Sequence, residues 1–399
     1  MEALIQPLRL RGADGTGQGR KVTWLELFFD LAFVAAVAQV GTPLAGDYSV
    51  PGLVRYTVLF VLIWWAWSGH TNFSTRFESD DVVQRALTLT QIFVVAVMAV
   101  NAKDALDSRS SAGFAAAYAL MRFVLVAQYC RARRILASRR LTTAYATGFG
   151  VAAVCWLVSA LVPAPARFWL WGAALLIDLG TPIVTAHLSA EVPPDPDHLP
   201  ERFGLFTIIL LGESMVAVMK GMESQEGWSV TAASAAFLGI VTPFLVWWWY
   251  FDGVEGAAER VVRTKRDAQR FTVWSFAHLP LYLGIALSGV GLEHIIRIAP
   301  DGHLHRSEIW ILSGAVVLLM SALVTIGAAS GHGCPRVTRP RLVAQYVVSA
   351  APLAAGFVDV HTPPVFLAGG IVLLCLVQLA LARPARPNIA PVSAVPQPL

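Results

Sequence analysis

The chain has 399 residues, 56% of them hydrophobic and 14% charged, with a mean hydropathy of +0.60. A soluble chain carries about 25% charged residues. This one cannot cover its apolar residues with a polar shell of its own, which excludes an ordinary soluble globule. The net charge of +4 does not imply nucleic acid, because the basic residues sit in short loops between apolar runs and form no continuous stripe.

Residues 1–21 contain no apolar run long enough for a signal peptide and read as a disordered basic tail. The glycines at 12, 15, 17 and 19 follow no strand, so they do not make a phosphate loop. Beyond them, a ruler of about 20 apolar residues per bilayer-crossing helix gives about twelve spans. They run over 22–43, 52–70, 82–101, 111–131, 142–162, 167–189, 201–220, 229–251, 269–292, 308–329, 341–358 and 363–383. The runs are too long and too uniformly apolar for barrel strands. The expected fold is an all-α polytopic transmembrane helical bundle. A first six-helix repeat covers 22–189, a Pro-rich linker 190–200, a second six-helix repeat 201–383, and a Pro-rich tail 384–399.

Assigning the loops alternately to two sides puts 22 Lys and Arg on the side of the N-terminus and 7 on the other, with Arg122 inside a span. The positive-inside rule then places both termini in the cytoplasm of a cell whose inner (plasma) membrane holds the chain. Trp64, Trp65 and Trp67 end the second span and Trp247, Trp248 and Trp249 end the eighth. Gln84-Arg85 opens the third and Gln269-Arg270 the ninth. These echoes imply two like-oriented halves related by an axis along the membrane normal. Both Trp clusters are expected at the inner interface, where indoles favour the headgroup layer; a ligand-stacking site is the other reading.

Ionised side chains are costly in a bilayer and normally face the bundle interior. Glu26 and Asp30 are four apart on one helix face, Glu213 lies about 18 Å deeper than Glu201, and Arg122 and Asp178 are both mid-span. Depth puts Arg122, Asp178 and Glu213 near one level, which suggests an ion pair or triad. Two readings compete for the set: an ion or proton site, and charges that hold helices together. Gly212 would let another backbone approach closely, and Ser214 would add a hydroxyl ligand. Pro182, Pro243 and Pro280 fall within spans as kinks or breaks, with His278 beside Pro280 as a relay candidate; His70 and Asp252 end spans near water. The four cysteines are scattered and read as small buried hydrophobes. No HExxH, GxSxG or CxxC occurs, so no metal, cofactor or catalytic nucleophile is implied.

The stretches VTWLELFFDLAFVAAVAQ at 22–39 and PERFGLFTIILLGESMVAV at 200–218 resemble the hallmark segments of the bacterial low temperature requirement protein A (LtrA) family. The resemblance highlights Glu26, Phe28, Asp30, Glu201, Arg202, Gly212 and Glu213. It implies a multi-span membrane protein linked to growth in the cold, and it supplies no reaction. The leading functional expectation is a proton- or cation-coupled secondary transporter of a small solute, with Glu26, Asp30 and Glu213 at the coupling site. A non-transporting scaffold or stress-response protein is the alternative, and a lipid-acting membrane enzyme is the third reading.

Overall fold

The computed structural model describes residues 6–11, 22–46, 48–79, 81–106, 110–227, 229–252, 265–299, 302–330, 338–357 and 363–382. Its helices are α1 (Trp24–Gly46), α2 (Val50–Ser74), α3 (Val82–Ala102), α4 (Ser111–Ala132), α5 (Arg139–Leu161), α6 (Ala166–Val184), α7 (Ala186–Glu191), α8 (His198–Glu223), α9 (Val230–Tyr250), α10 (Lys265–Ile298), α11 (Arg306–Ala329), α12 (Arg339–Ala350) and α13 (Pro364–Ala382). Polar caps start several of them. Ser49 caps α2 by accepting from the Gly52 N–H, and Ser229 caps α9 by accepting from Ala232. At α11 the Glu308 carboxylate accepts from the His305 N–H at 2.7 Å.

Helices α1, α2, α8 and α10 meet at the centre. Helices α3 to α6 pack in sequence on one flank, and α9, α11, α12 and α13 on the other. The most apolar stretch of α10 is 72% buried while those of α3 and α6 are 28% buried, so α10 is core and α3 and α6 are rim. The rim helices turn Leu89, Phe93 and Leu176 outward, more than 60% exposed. A soluble protein does not present such a continuous apolar belt.

Among the described residues eleven helices are long and apolar enough to cross a membrane. The expected span at 341–358 takes a different form: α12 ends at Ala350 and a 3-10 segment continues over Ala351–Phe357. Arg339, Arg341 and Gln345 lower its apolar content below that of its neighbours. The segment still runs antiparallel along α11 and α13. Arg341 donates to the Leu381 carbonyl, Gln378 donates to Gln345 O at 2.6 Å, the hydroxyls of Tyr346 and Thr325 are 2.9 Å apart, and Gly356 lies against the Trp310 ring.

Three expectations need correction here. The N-terminal tail is not wholly without structure: Arg9–Leu10 pairs antiparallel with Phe77–Glu78. Leu8 is buried in an apolar cluster with Phe73 and Tyr129, which supplies the ordering energy that a bare basic tail lacks. The glycines at 12, 15, 17 and 19 and the tail 384–399 lie outside the described residues. Trp64, Trp65 and Trp67 do not turn their rings outward to a headgroup layer; all three are buried in protein, because α2 is a central helix. Of the cysteines described, Cys375 is buried but Cys130 is exposed. The helices also continue through Pro43, Pro182, Pro243 and Pro280 without ending there.

Candidate functional site

The sequence T-x-x-E at Thr23–Glu26 is a capping box that starts α1. The Thr23 N–H and hydroxyl donate to Glu26 Oε2 at 2.8 and 3.0 Å, and the Glu26 N–H donates back to Thr23 Oγ1 at 3.3 Å. One turn on, Asp30 is fully buried. It accepts from Trp67 Nε1 of α2 at 2.7 Å and from Arg202 Nε of α8 at 3.1 Å, and Arg202 Nη2 closes a second contact to the other carboxylate oxygen. This is a bidentate Arg–carboxylate fork, the geometry in which such a pair is strongest. Arg202 Nη1 also lies 3.4 Å from Glu26, His198 Nε2 is 3.4 Å from Glu26, and Arg11 approaches Glu26 at 3.5 Å while donating to Ser74 O at 2.8 Å. Glu201 accepts from the Val22 N–H at 3.2 Å. One charge cluster therefore ties α1, α2, α8 and the N-terminal segment together at one end of the bundle.

An aromatic layer lies directly beyond it. Trp67 packs on Phe206 with ring centroids 4.4 Å apart, Phe206 on Tyr282 at 4.9 Å, and Phe29 on Phe33 at 4.7 Å. Past this septum the same helices separate. A cavity of about 230 Å³ opens between α1, α2, α8 and α10, lined by Val37, Thr42, Tyr56, Glu213, Ser214, Lys220 and Glu293, among others. Glu213 is partly exposed, and its carboxylate lies 3.8 Å from Lys220 Nζ. Glu293 is engaged by Arg297 at 2.7 Å, which in turn donates to Ala45 O at 3.1 Å. Ser214 Oγ turns back to Leu210 O at 3.4 Å, and a Cβ at Gly289 would sit 3.1 Å from it, so this glycine is where α8 and α10 approach closely.

The structure pairs Arg122 with Asp178 and puts Glu213 elsewhere, so there is no triad. Arg122 Nε is 2.9 Å from Asp178 Oδ2, both side chains fully buried between α4 and α6. The Nε–H is misaligned with that oxygen, so the contact is a charge pair rather than a hydrogen bond. Arg122 also donates to the Tyr118 hydroxyl at 2.7 Å and lies over that ring. The five charged residues thus form three separate arrangements. Charged residues assigned one depth on separate helices need not share a site, and depth was all the spacing offered.

His278 is buried with Nδ1 donating to Trp274 O at 2.8 Å and Nε2 3.0 Å from the Tyr250 hydroxyl. Gly212 has open space where a Cβ would stand, so it allows no close backbone approach, and Phe28 faces outward, 54% exposed. His70 is not near water. It is buried, its ring tilted against Phe29 with centroids 4.1 Å apart, and its Nδ1 is unpartnered. Sequence reasoning missed Trp67, His198 and Arg11 around the acids, and Tyr56, Lys220 and Glu293 around the cavity. Trp67 and His198 carried a signal, one inside a Trp cluster and one three residues before Glu201. Tyr56 and Arg11 carried none. Among the described residues no three His, Cys, Asp or Glu side chains gather as a metal site.

These features define a multi-pass helical membrane protein with a charge cluster and a cavity stacked along one central helix interface. The chain belongs to the bacterial low temperature requirement A (LtrA) family, whose model matches residues 21–381. It is 30% identical over 296 residues to an uncharacterised protein of Rhizobium meliloti (strain 1021), with 71% of each chain covered. No solved structure matches it.

Proposed function

We propose that the protein is a secondary transporter of a small solute, coupled to protons or cations, in the inner (plasma) membrane with both termini cytoplasmic. One observation carries the reading: the α1–α8–α10 interface is closed at one end and open at the other. The Asp30–Arg202–Glu26 cluster and the Trp67–Phe206–Tyr282 layer seal the end near the N-terminus, and the cavity bearing Glu213 occupies the other. A one-sided pathway with a half-buried acid at its base is what an alternating-access carrier presents between strokes.

Further support comes from the two-halves pattern. Helix α1 packs against α2 and α3, and α8 packs against α9 and α10 in the corresponding order. In this reading the α12–3-10 segment counts as a twelfth crossing beside the eleven apolar helices, which agrees with the 22 to 7 charge asymmetry and assigns the cavity to the external face. Glu213 is then the coupling acid, and Asp30 with Arg202 is the internal gate.

The scaffold reading draws on a separate observation, the individually closed Arg122–Asp178 pair. Proteoliposomes separate the two. Transport predicts solute-dependent proton or cation flux that Glu213→Gln abolishes, and labelling of Thr42→Cys, in a background without the native cysteines, from the external side only. Flux absent in the wild-type chain across a solute panel, with Glu213→Gln changing stability alone, favours the scaffold.

A further inference from the structure

We propose that the cavity beside Glu213 binds a small primary ammonium ion, with the Glu213 carboxylate as counter-ion and the Tyr56 hydroxyl as hydrogen-bond partner. The proposal deepens the transport reading by naming the class of solute.

The charged groups around the cavity are not equally occupied. Glu293 is closed by Arg297 at 2.7 Å. Glu213 is held only by a long ion pair, with Lys220 Nζ 3.8 Å away on a side chain that is half exposed. Glu213 is therefore the acid with free acceptor capacity. A second group points the same way. Tyr56 is 2% exposed and lines the cavity, and its hydroxyl has no hydrogen-bond partner among the described residues. The hydroxyl opens onto the cavity, where a guest can hydrogen-bond it.

Chemistry narrows the occupant. Glu293 is neutralised by Arg297 and the Lys220 side chain is half exposed, so the acid that remains at the cavity wall is Glu213, which disfavours an anion beside it. The walls of Val37, Ala38 and Val290 offer a sugar none of the hydrogen bonds it would lose from water. A bare metal cation needs about six oxygen ligands, and Glu213 and Tyr56 do not supply them. A quaternary ammonium has no N–H for either group. A primary ammonium brings three donors on a compact charge, and a short alkyl tail matches the apolar wall. The volume of about 230 Å³ is room for roughly eight waters at about 30 Å³ each, enough for such an ion.

The test is thermal unfolding of the full chain in detergent, titrated with n-butylammonium chloride at constant ionic strength. Sodium chloride, n-butanol and sodium butyrate serve as controls. Native-state binding raises the melting midpoint saturably by mass action. The expected result is a saturable rise with butylammonium alone. Glu213→Gln weakens the apparent affinity at least tenfold, and Tyr56→Phe weakens it by less. Ala38→Leu narrows the cavity without touching either polar group and also lowers affinity, which covers the case of a misfolded Gln variant. Equal shifts with butanol or butyrate, or undiminished affinity in Glu213→Gln or Ala38→Leu, overturn the assignment. Binding without flux in proteoliposomes leaves the ammonium site standing and removes transport. Flux of another solute with no ammonium binding removes the site and leaves transport.

Discussion

Replacing Asp178 by Asn tests what the Arg122–Asp178 pair does. At 2.9 Å and an effective dielectric of ~20, the gross attraction is about 6 kcal/mol. Most of that offsets the desolvation of two fully buried ions, so the net value of the intact pair is small. Removing one partner is different, because it leaves the buried Arg122 charge with the Tyr118 hydroxyl and the rings of Tyr118 and Phe149 but no carboxylate. The expected cost is ~3–5 kcal/mol. In unfolding followed in detergent, this is a drop of roughly 5–10 °C in the apparent midpoint, given ~2–4 °C per kcal/mol for domains of moderate size and less for longer chains. The double change Arg122→Met with Asp178→Leu removes both charges at similar volume and is expected to recover most of the loss, which makes the singles strongly non-additive. Flux measured on the same proteins adds a second axis. A structural pair predicts that the neutral double variant is stable and transports. Additive losses, or a stable double variant without flux, refute the reasoning and return Arg122 and Asp178 to the ion pathway.

Three further outcomes follow from contacts in the structure. Trp67→Phe deletes the 2.7 Å donor to Asp30 and is expected to destabilise by ~1.5–3 kcal/mol, read as a lower unfolding midpoint. Gly69→Ala places a methyl 2.9 Å from Arg122 Nη1 and 3.0 Å from Leu125 Cδ2, and overpacking there is expected to cost ~1–3 kcal/mol by the same measurement. At Asp81, outside the spans, burial raises the carboxyl pKa, but the Gln84 N–H, Arg131, the Gln6 N–H and Ser79 together pull it below its ordinary value. A depressed carboxyl contributes stability above its unfolded pKa, ~3.9, and loses it as pH falls through the lower folded value. Hydrogen-exchange protection factors of residues 6–11, taken relative to the intrinsic rate at each pH, are therefore expected to stay high at neutral pH and to fall below about pH 4, with Asp81→Asn low at every pH.

Much of the architecture was legible because hydrophobic run length is a one-dimensional property. Spans such as 111–131 and 229–251 agree with α4 and α9 to within a residue or two at each end. The span at 341–358 was harder, because its polar face is satisfied laterally by Gln378 and Leu381 of α13 and nothing local records that. The helix-facing logic behind Glu26 and Asp30 was sound, since four-residue spacing does place both on Arg202. Their partners were not readable, because Arg202 is 172 residues from Asp30 and the tail residue Arg11 looked like solvated charge. Glu213 was found as an acid in oil, but its cavity depends on how α1 and α10 diverge from α8, a tertiary property that leaves small residues such as Ala38 and Gly289 as its faint trace.

The composition of the two seals bears on how a carrier of this shape would move. An apolar septum resists opening in proportion to the area it exposes, at about 25 cal/mol per Å², and Trp67, Phe206 and Tyr282 are large rings. A buried ion pair resists less than its gross attraction suggests, because water entering the opened gap solvates both ions and returns the desolvation penalty. Asp30 and Arg202 can therefore part at modest cost once the septum yields, whereas either alone in a closed gate is strongly disfavoured. On this argument the rings set the barrier and the ion pair sets the specificity of closure. Phe206→Ala should then raise access to the charge cluster from the cavity side while leaving the Asp30–Arg202 contact intact. A probe cysteine at Val34, labelled from the external face in Phe206→Ala but not in the parent, would show it, and equal labelling in both would place the barrier elsewhere.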